Sequence, residues 1–261
     1  MHDSVSKILR SAQVYFPSIQ DYRFQVQRNL RSLLNKTHEE DFEAITLLPR
    51  SSNNLFLDIG SNRGDAIHSI LMRRPDARVI GFEPNSFLIE KVRKLYQNDN
   101  RVEVRNLGLG SQPGSFDLYV PFYNNYMFDG LASFQERRAQ RALLNRLYGY
   151  NPQKLEVKKI RCEIMRLDDL NLKPYFIKID VQGFEYQVLL GGAETIKESK
   201  PVLLIETPGP EELTFLNSLG FQPFVFNKSK FIRGTGGLNV FFIHQDLTLN
   251  WVNGSLAAGV A

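Results

Sequence analysis

One cysteine, Cys162, is present, so an internal disulfide is excluded. The four histidines, His2, His38, His68 and His244, are scattered and none sits at zinc-ligand spacing, so no bound metal is expected. No stretch approaches the roughly 20 apolar residues that a membrane span needs. The opening MHDSVSKILRSAQVYF also lacks the continuous apolar run of a secretory signal, so a cytoplasmic protein is expected. An excess of one charge is missing too: 32 Lys and Arg face 28 Asp and Glu, for a net +4. A nucleic-acid partner, which calls for a basic stripe interleaved with stacking aromatics, is therefore not expected. The one basic concentration is Arg137, Arg138, Arg141 and Arg146, which read first as a solvated helix face.

Core-forming residues are plentiful. Of 261 residues, 43% are hydrophobic and 11% aromatic, enough for one large domain with appendages. Residues 1–50 read as an N-terminal helical extension, because Ile8, Leu9, Ala12 and Phe16, then Phe24, Val26, Leu30, Leu33 and Leu34, recur near the helical period. From Leu55 onward short apolar runs alternate with helical stretches. Strands are predicted at LFLDI, RVIGFE, VEVRNL, SFDLYV, YFIKID, PVLLIE and FQPFVF, and helices over 64–73, 87–96, 185–198 and 210–219. Such alternation implies parallel neighbours joined by right-handed crossovers. GLNVFFI follows FQPFVF too soon for a helical crossover, so those two should pair antiparallel as an edge hairpin. The expected fold is α/β: a doubly wound, mostly parallel, Rossmann-like sheet over 51–246, with a tail at 247–261.

The alternation is interrupted over 122–155 by PFYNNYMFDGLASF and a basic amphipathic stretch, QERRAQRALLNRLYGY. Ligands of parallel sheets sit outside the carboxyl ends of the strands. The insertion therefore reads as a lid or acceptor wall, with a decorative surface helix as the alternative. Its Tyr123, Tyr126, Phe128 and Phe134, beside four arginines, suit a sugar-like acceptor bearing an acidic group.

The strongest local signal is LFLDIGSNRGD, residues 55–65, in which a strand enters a glycine loop that opens a helix. Gly60 permits a sharp turn with a ligand lying against it, and Gly64 permits close approach of the helix start. The doubled-glycine loop of dinucleotide enzymes, which seats a pyrophosphate, is absent. Asp58 before the turn suits the neighbourhood of an ammonium or sulfonium cation, or else caps the turn. Glu83, about 20 residues on, is placed to accept hydrogen bonds from ribose hydroxyls. Asp180, ending the strand expected beside the first, should share a crevice with Asp58. Two carboxylates there repel unless a cation or proton lies between them, and a cationic donor would resolve the conflict.

Together these segments resemble the FkbM family of methyltransferases. The resemblance spans about residues 54–243: DIGSNRGD, FEPN, NLGLG at 106–110, GLAS at 130–133, a strand leading into RLDDL at 166–170, KIDVQGFEYQVLLGG, and PVLLIE at 201–206. It implies a methyltransferase sheet, S-adenosylmethionine as cofactor, and O-methylation of a sugar, glycoconjugate or natural product. Gln182 departs from the family, which often has Glu there, and 134–150 looks like a local insertion.

For the donor, the expected contacts are Asp58, Gly60, Ser61, Asn62, Gly64, Asp65, Glu83, Pro84, Asn85, Asn106, Leu107 and Asp180, with Phe82, Phe87 and Leu107 as candidates to sandwich adenine. Ser133 lines the acceptor side by resemblance alone. A neutral hydroxyl is a weak nucleophile, so a base is sought among Asp180, Glu206 and Glu185, in that order, with Glu185 also suited to a helix start. Two other classes stay open: a non-catalytic carbohydrate- or polyanion-binding module with a vestigial donor pocket, and a nicotinamide-dependent oxidoreductase.

Overall fold

The computed structural model describes residues 2–250. Helices α1 (His2–Gln13) and α2 (Gln20–Leu33) lead to a 3-10 segment, Glu40–Leu47. The alternating region follows as β1 (Leu55–Ile59), α3 (Asp65–Arg73), β2 (Arg78–Phe82), α4 (Ser86–Leu95) and β3 (Val102–Arg105). Next come β4 (Gly108–Leu109), β5 (Gly114–Tyr123), β6 (Tyr126–Met127), α5 (Glu136–Arg141) and β7 (Leu155–Met165). The chain then returns through β8 (Phe176–Ile179), α6 (Glu185–Gly191), α7 (Ala193–Ser199), β9 (Val202–Glu206) and α8 (Pro210–Ser218). It closes with β10 (Phe221–Asn227), β11 (Lys230–Arg233), β12 (Asn239–His244) and α9 (Gln245–Asn250). The expected tail thus begins as helix, and 251–261 lie outside the described residues.

The main sheet has the order β11-β10-β12-β9-β8-β1-β2-β3. Strands β3, β2, β1, β8 and β9 are parallel, while β12 runs antiparallel to both β9 and β10. This is the doubly wound, mostly parallel fold expected. The predicted antiparallel pair exists, but β12 slots between β9 and β10, and β11, from the Gly-flanked connection, takes the edge. Continuous apolar runs such as LFLDI mark strands covered on both faces. Phe56, Phe176, Val202 and Phe241 pack to one side; Leu57, Ile177, Leu203 and Phe242 pack to the other.

The first of these cores also takes Phe42, Ala44 and Ile45 from the 3-10 segment and Leu48 just after it. Residues ahead of the first strand therefore complete one wall of the sheet. By contrast, α1 and α2 leave many apolar side chains in solvent, Leu33 being 83% exposed. Among the described residues no helix is long and apolar enough to cross a membrane.

A second sheet, β4-β7-β5-β6, is dominated by β5 and β7, antiparallel over ten pairs from Gly114↔Ile164 to Tyr123↔Leu155. The long β7 carries few buried side chains, so no apolar run announced it, and only the family resemblance pointed to it. The insertion is the connection at the far end of this ribbon. There Ala139, Leu143 and Leu147, four residues apart, are buried, the latter two against Val14, Tyr123, Tyr126 and Phe128.

Phe42→Ala is expected to cost about 3–5 kcal/mol of unfolding free energy, the range for emptying a buried aromatic site. Leu33→Ala, at an exposed site, should change stability by less than about 0.5 kcal/mol. Urea unfolding of both variants checks this, and a Phe42→Ala loss as small as that of Leu33→Ala would detach the 3-10 segment from the core.

Candidate functional site

The carboxyl ends of β1 and β8 meet where the chain winds away in both directions, the usual place for a ligand crevice. Parallel register sets Asp58 beside Lys178, and Asp180, two residues further, shares the face of Lys178. Lys178 Nζ lies 3.1 Å from Asp180 Oδ2 and 3.9 Å from Asp58 Oδ1. The cation expected between the two carboxylates is therefore the protein's own lysine. Burial opposes the charge on Lys178, yet Asp180 and Asp58 hold its pKa above the ordinary value. Asp58 is 0% exposed, and its carboxylate oxygens make no hydrogen bond among the described residues. Burial pushes it up to about 6 against the pull of Lys178.

Beyond β1, Gly60 adopts φ +89°, and a Cβ there would overlap the Asp180 carbonyl, so only glycine lets the loop pass this close to β8. Gly64 precedes α3 at φ +78° with Tyr96 packed against it. Ser61 Oγ donates to the Asp58 carbonyl at 2.9 Å. Asp65 turns toward α2, pairing with Arg28 at 3.1 Å and Arg31 at 3.5 Å.

Glu83, at the end of β2, accepts the Asn62 N–H at 2.7 Å and the Asn85 N–H at 2.8 Å. Burial pushes it up to about 7, partly offset by those two bonds. Glu83 lines a cavity of about 100 Å3 with Pro84, Gly108, Leu109, Phe134 and Phe184. Of the expected adenine-side residues, Asn106 instead donates to the Glu83 carbonyl at 2.9 Å, and Leu107 is buried in the core. Gly108 and Leu109, the next two residues, form the wall. Phe82 lines the cavity, whereas Phe87 packs edge-on against Phe122. Asn85 caps α4 by accepting the Phe87 N–H at 3.0 Å.

A larger cavity of about 440 Å3 shares Gly60, Asn62, Asp129, Gly130 and Asp180 with the first. Its floor includes Lys178, and its walls include His38 and Glu39 from the N-terminal region and Tyr126 to Leu131 from the insertion. Arg63 fastens the two walls, reaching Asp21 at 2.7 Å and Asp129 at 2.9 Å while stacking over Phe24 at 4.2 Å. A small nucleoside fits this arrangement: the Asn62 Oδ1 acceptor is buried with no hydrogen-bond partner among the described residues, Glu83 faces one cavity, and Gly60 leaves the floor bare. Lys178, Glu39, Arg63 and Asp129 were missed from sequence. A lysine inside an apolar strand was the only local signal among them.

Glu206 ends β9, next to β8. Gln182 Nε2 donates to Asp180 Oδ1 at 2.9 Å and to Glu206 Oε2 at 3.0 Å, joining the two carboxylates. Burial raises Asp180, but Lys178 and the surrounding donors outweigh it and hold the group below the usual range. Glu206, raised by burial and by the neighbouring Asp180, sits well above that range. Glu185 spends one oxygen on the Val181 N–H at 3.1 Å and the Gly183 N–H at 3.0 Å, pinning the loop beneath the pair. Ser133 is buried, its Oγ accepting the Gln135 N–H at 3.1 Å, and so does not face an acceptor. No group of three or more potential metal ligands occurs among the described residues.

The family model of the methyltransferase FkbM domain matches residues 58–223. AMB antimetabolite synthetase AmbE of Pseudomonas aeruginosa is 29% identical over 160 residues, 52% of this chain. The match spans 7% of that protein's length. Methyltransferase FkbM from Methylobacillus flagellatus KT aligns at 17% identity over 77% of this chain and 47% of its own, with a TM-score of 0.48. An S-adenosylmethionine-dependent O-methyltransferase from Thermotoga maritima aligns at 10% identity over 80% of this chain and 66% of its own, with a TM-score of 0.37.

Replacing Lys178 with Met leaves the buried Asp58 and the half-buried Asp180 without their cation, at a cost of about 3–5 kcal/mol near neutrality. Both carboxyls then have folded pKa values raised above their unfolded ones. Their neutral forms are tolerated at low pH, and stability is lost as pH rises through the folded values. The deficit against wild type should thus be larger at pH 8 than at pH 5 in urea unfolding. An equal deficit at both would mean that Lys178 contributes packing alone.

Proposed function

Because the chain belongs to the FkbM methyltransferase family, with S-adenosylmethionine as methyl donor, we propose that it methylates a hydroxyl oxygen on a sugar, glycoconjugate or natural-product acceptor. The observation that carries this reading is the Asp180–Gln182–Glu206 group at the mouth of the strands, where a proton acceptor is needed. When bound, the donor supplies a methyl group on a sulfonium, open to in-line displacement. The chain's part is to hold the acceptor oxygen in line, exclude water and take up its proton.

In this reading Glu83 holds the ribose, Gly60 and Asn62 lie under the donor, and Pro84, Gly108 and Leu109 flank the base. Asp58 acts through Lys178, since it is fully buried. Glu206 is the better proton acceptor, reversing the order expected from sequence. Asp180 is committed to Lys178 and Gln182 and is a weak base, whereas the raised Glu206 is matched to proton uptake near neutral pH. Glu185 positions the loop. Residues 51–246 form the methyltransferase domain, 1–50 its helical extension and 122–155 its lid.

Donor binding carries its own pH signature. Ribose hydroxyls donate to the charged form of Glu83, which is held at about 7 in the free protein. Affinity for S-adenosylhomocysteine is therefore expected to rise with pH up to about 7 and then level off. Glu83→Ala should lose about 1–3 kcal/mol of that affinity and flatten the rise. Calorimetry across pH reads both; an unaltered affinity in Glu83→Ala would remove the ribose assignment.

Turnover is read with methyl-labelled S-adenosylmethionine and fractionated extract as acceptor source. Glu206→Gln is expected to lower kcat by about 10²–10⁴-fold, the usual worth of a general base. The wild-type rate should climb with pH above the ordinary glutamate range, because the base must be ionised, and the variant should lack that limb. Retention of the same limb in Glu206→Gln would remove Glu206 as the base.

A further inference from the structure

Beside the donor cavities lies a third, of about 540 Å3, lined by Arg137, Arg138, Arg141 and Arg146 together with Gln182. No carboxylate lines it, and none of the four guanidinium groups forms an ion pair among the described residues. Their gathering is built into the fold. Ala139, Leu143 and Leu147 bury one face of the segment, which leaves the four arginines exposed around the cavity they share with Gln182. Arg138 lies so close to the β8–α6 loop that a side chain at Gly183 would meet its guanidinium. Gln182 belongs both to this cavity and to the Asp180–Glu206 group, and Arg146 also lines the larger donor cavity.

Four like charges around one cavity repel one another, and an anion that pairs with several at once relieves the repulsion. A single carboxylate satisfies one guanidinium in a bidentate manner, whereas a phosphoryl group offers three terminal oxygens to more than one. The geometry points to a phosphate-binding subsite for the acceptor: the substrate is a phosphorylated small molecule whose phosphoryl group is held by Arg137, Arg138, Arg141 and Arg146. Its hydroxyl then lies toward Gln182 and the carboxylate pair. This inference rests on the methyl-transfer reading for its direction, since it names the acceptor class of the same site.

The test is calorimetry of the full chain at low salt with glucose 6-phosphate, glucuronate and inorganic pyrophosphate, alongside S-adenosylhomocysteine. The two phosphorylated probes should bind more tightly than glucuronate. Arg138→Gln and Arg141→Gln should each weaken them about tenfold or more, as expected for loss of a hydrogen bond between charged groups. Arg93→Gln, at a surface arginine paired with Glu90, should not weaken them. Affinity for S-adenosylhomocysteine should be unchanged in all three variants. Tighter binding of glucuronate, or phosphate binding indifferent to Arg138 and Arg141, overturns the inference. So does stronger binding of a single-stranded oligonucleotide through the same arginines, which would make the cavity part of a polymer track. Binding of S-adenosylhomocysteine without phosphate binding overturns the inference and spares the methyl-transfer reading. Phosphate binding through these arginines without S-adenosylhomocysteine binding sustains the anion site and overturns that reading.

Discussion

Everything at the strand ends depends on one buried ammonium group. Lys178 is 5% exposed and stands between a carboxylate on the neighbouring strand and one on its own. Removing an ion from water is costly, and a buried pair is tolerated only when partners surround it closely. Here the closeness follows from parallel register, which no surface rearrangement can alter without shifting a whole strand. Because Asp58 is neutralised from within, the Gly60 loop can pass directly over β8. Because Asp180 is held charged, it can in turn raise the neighbouring Glu206.

Much of this was legible in the sequence. Alternating strands and helices set the order of the sheet, place β8 beside β1, and so bring Asp58 and Asp180 into one crevice. The same reasoning calls for a cation or a proton between them and looks to a cationic ligand, because YFIKID reads as an apolar strand in which a lysine is easily passed over. Its spacing was the available clue: residue 178 shares a face with 180, and that face was already known to be charged. On the adenine side the prediction missed by two residues. Asn106 and Leu107 serve the β2 end and the core, while Gly108 and Leu109 reach the cavity. Loop residues carry no periodicity that would separate one from the next.

The walls of the larger cavity were not legible, for a physical reason. They are assembled by pairs far apart in sequence, such as Arg63 with Asp21 and Asp129. Charges in separate segments have no local pattern that names their partners, and the attraction that joins them is weak until burial excludes water. Arg63 is well buried, so its two partners meet it under conditions where geometry counts. The extension and the insertion, read from sequence as an appendage and a lid, thereby become opposite sides of one enclosure. Strand β7, partner of the expected β5, shows no apolar pattern for a related reason: a strand with one solvated face and long basic side chains looks polar throughout, and the family resemblance alone points to it.

Gln182 shows how one departure from a family pattern becomes intelligible in three dimensions. Read alone, a glutamine where glutamate is common removes a base. In the fold its amide bridges two carboxylates, Asp180 and Glu206, and a glutamate in its place would add a third negative charge to the same corner. The residue takes a left-handed backbone, φ +55°, followed by Gly183 at +96°, and Glu185 fixes that turn from below by accepting the N–H groups on either side of Gln182. A non-glycine residue in this region carries strain that surrounding contacts must hold. Here the strain aims the amide at the carboxylates, so that Asp180 stays ionised beside Lys178 while Glu206 keeps a high proton affinity. Two adjacent acids thus acquire different roles from their surroundings. The amide thus replaces a charge with donors, and the two carboxylates that it bridges stand on neighbouring strands.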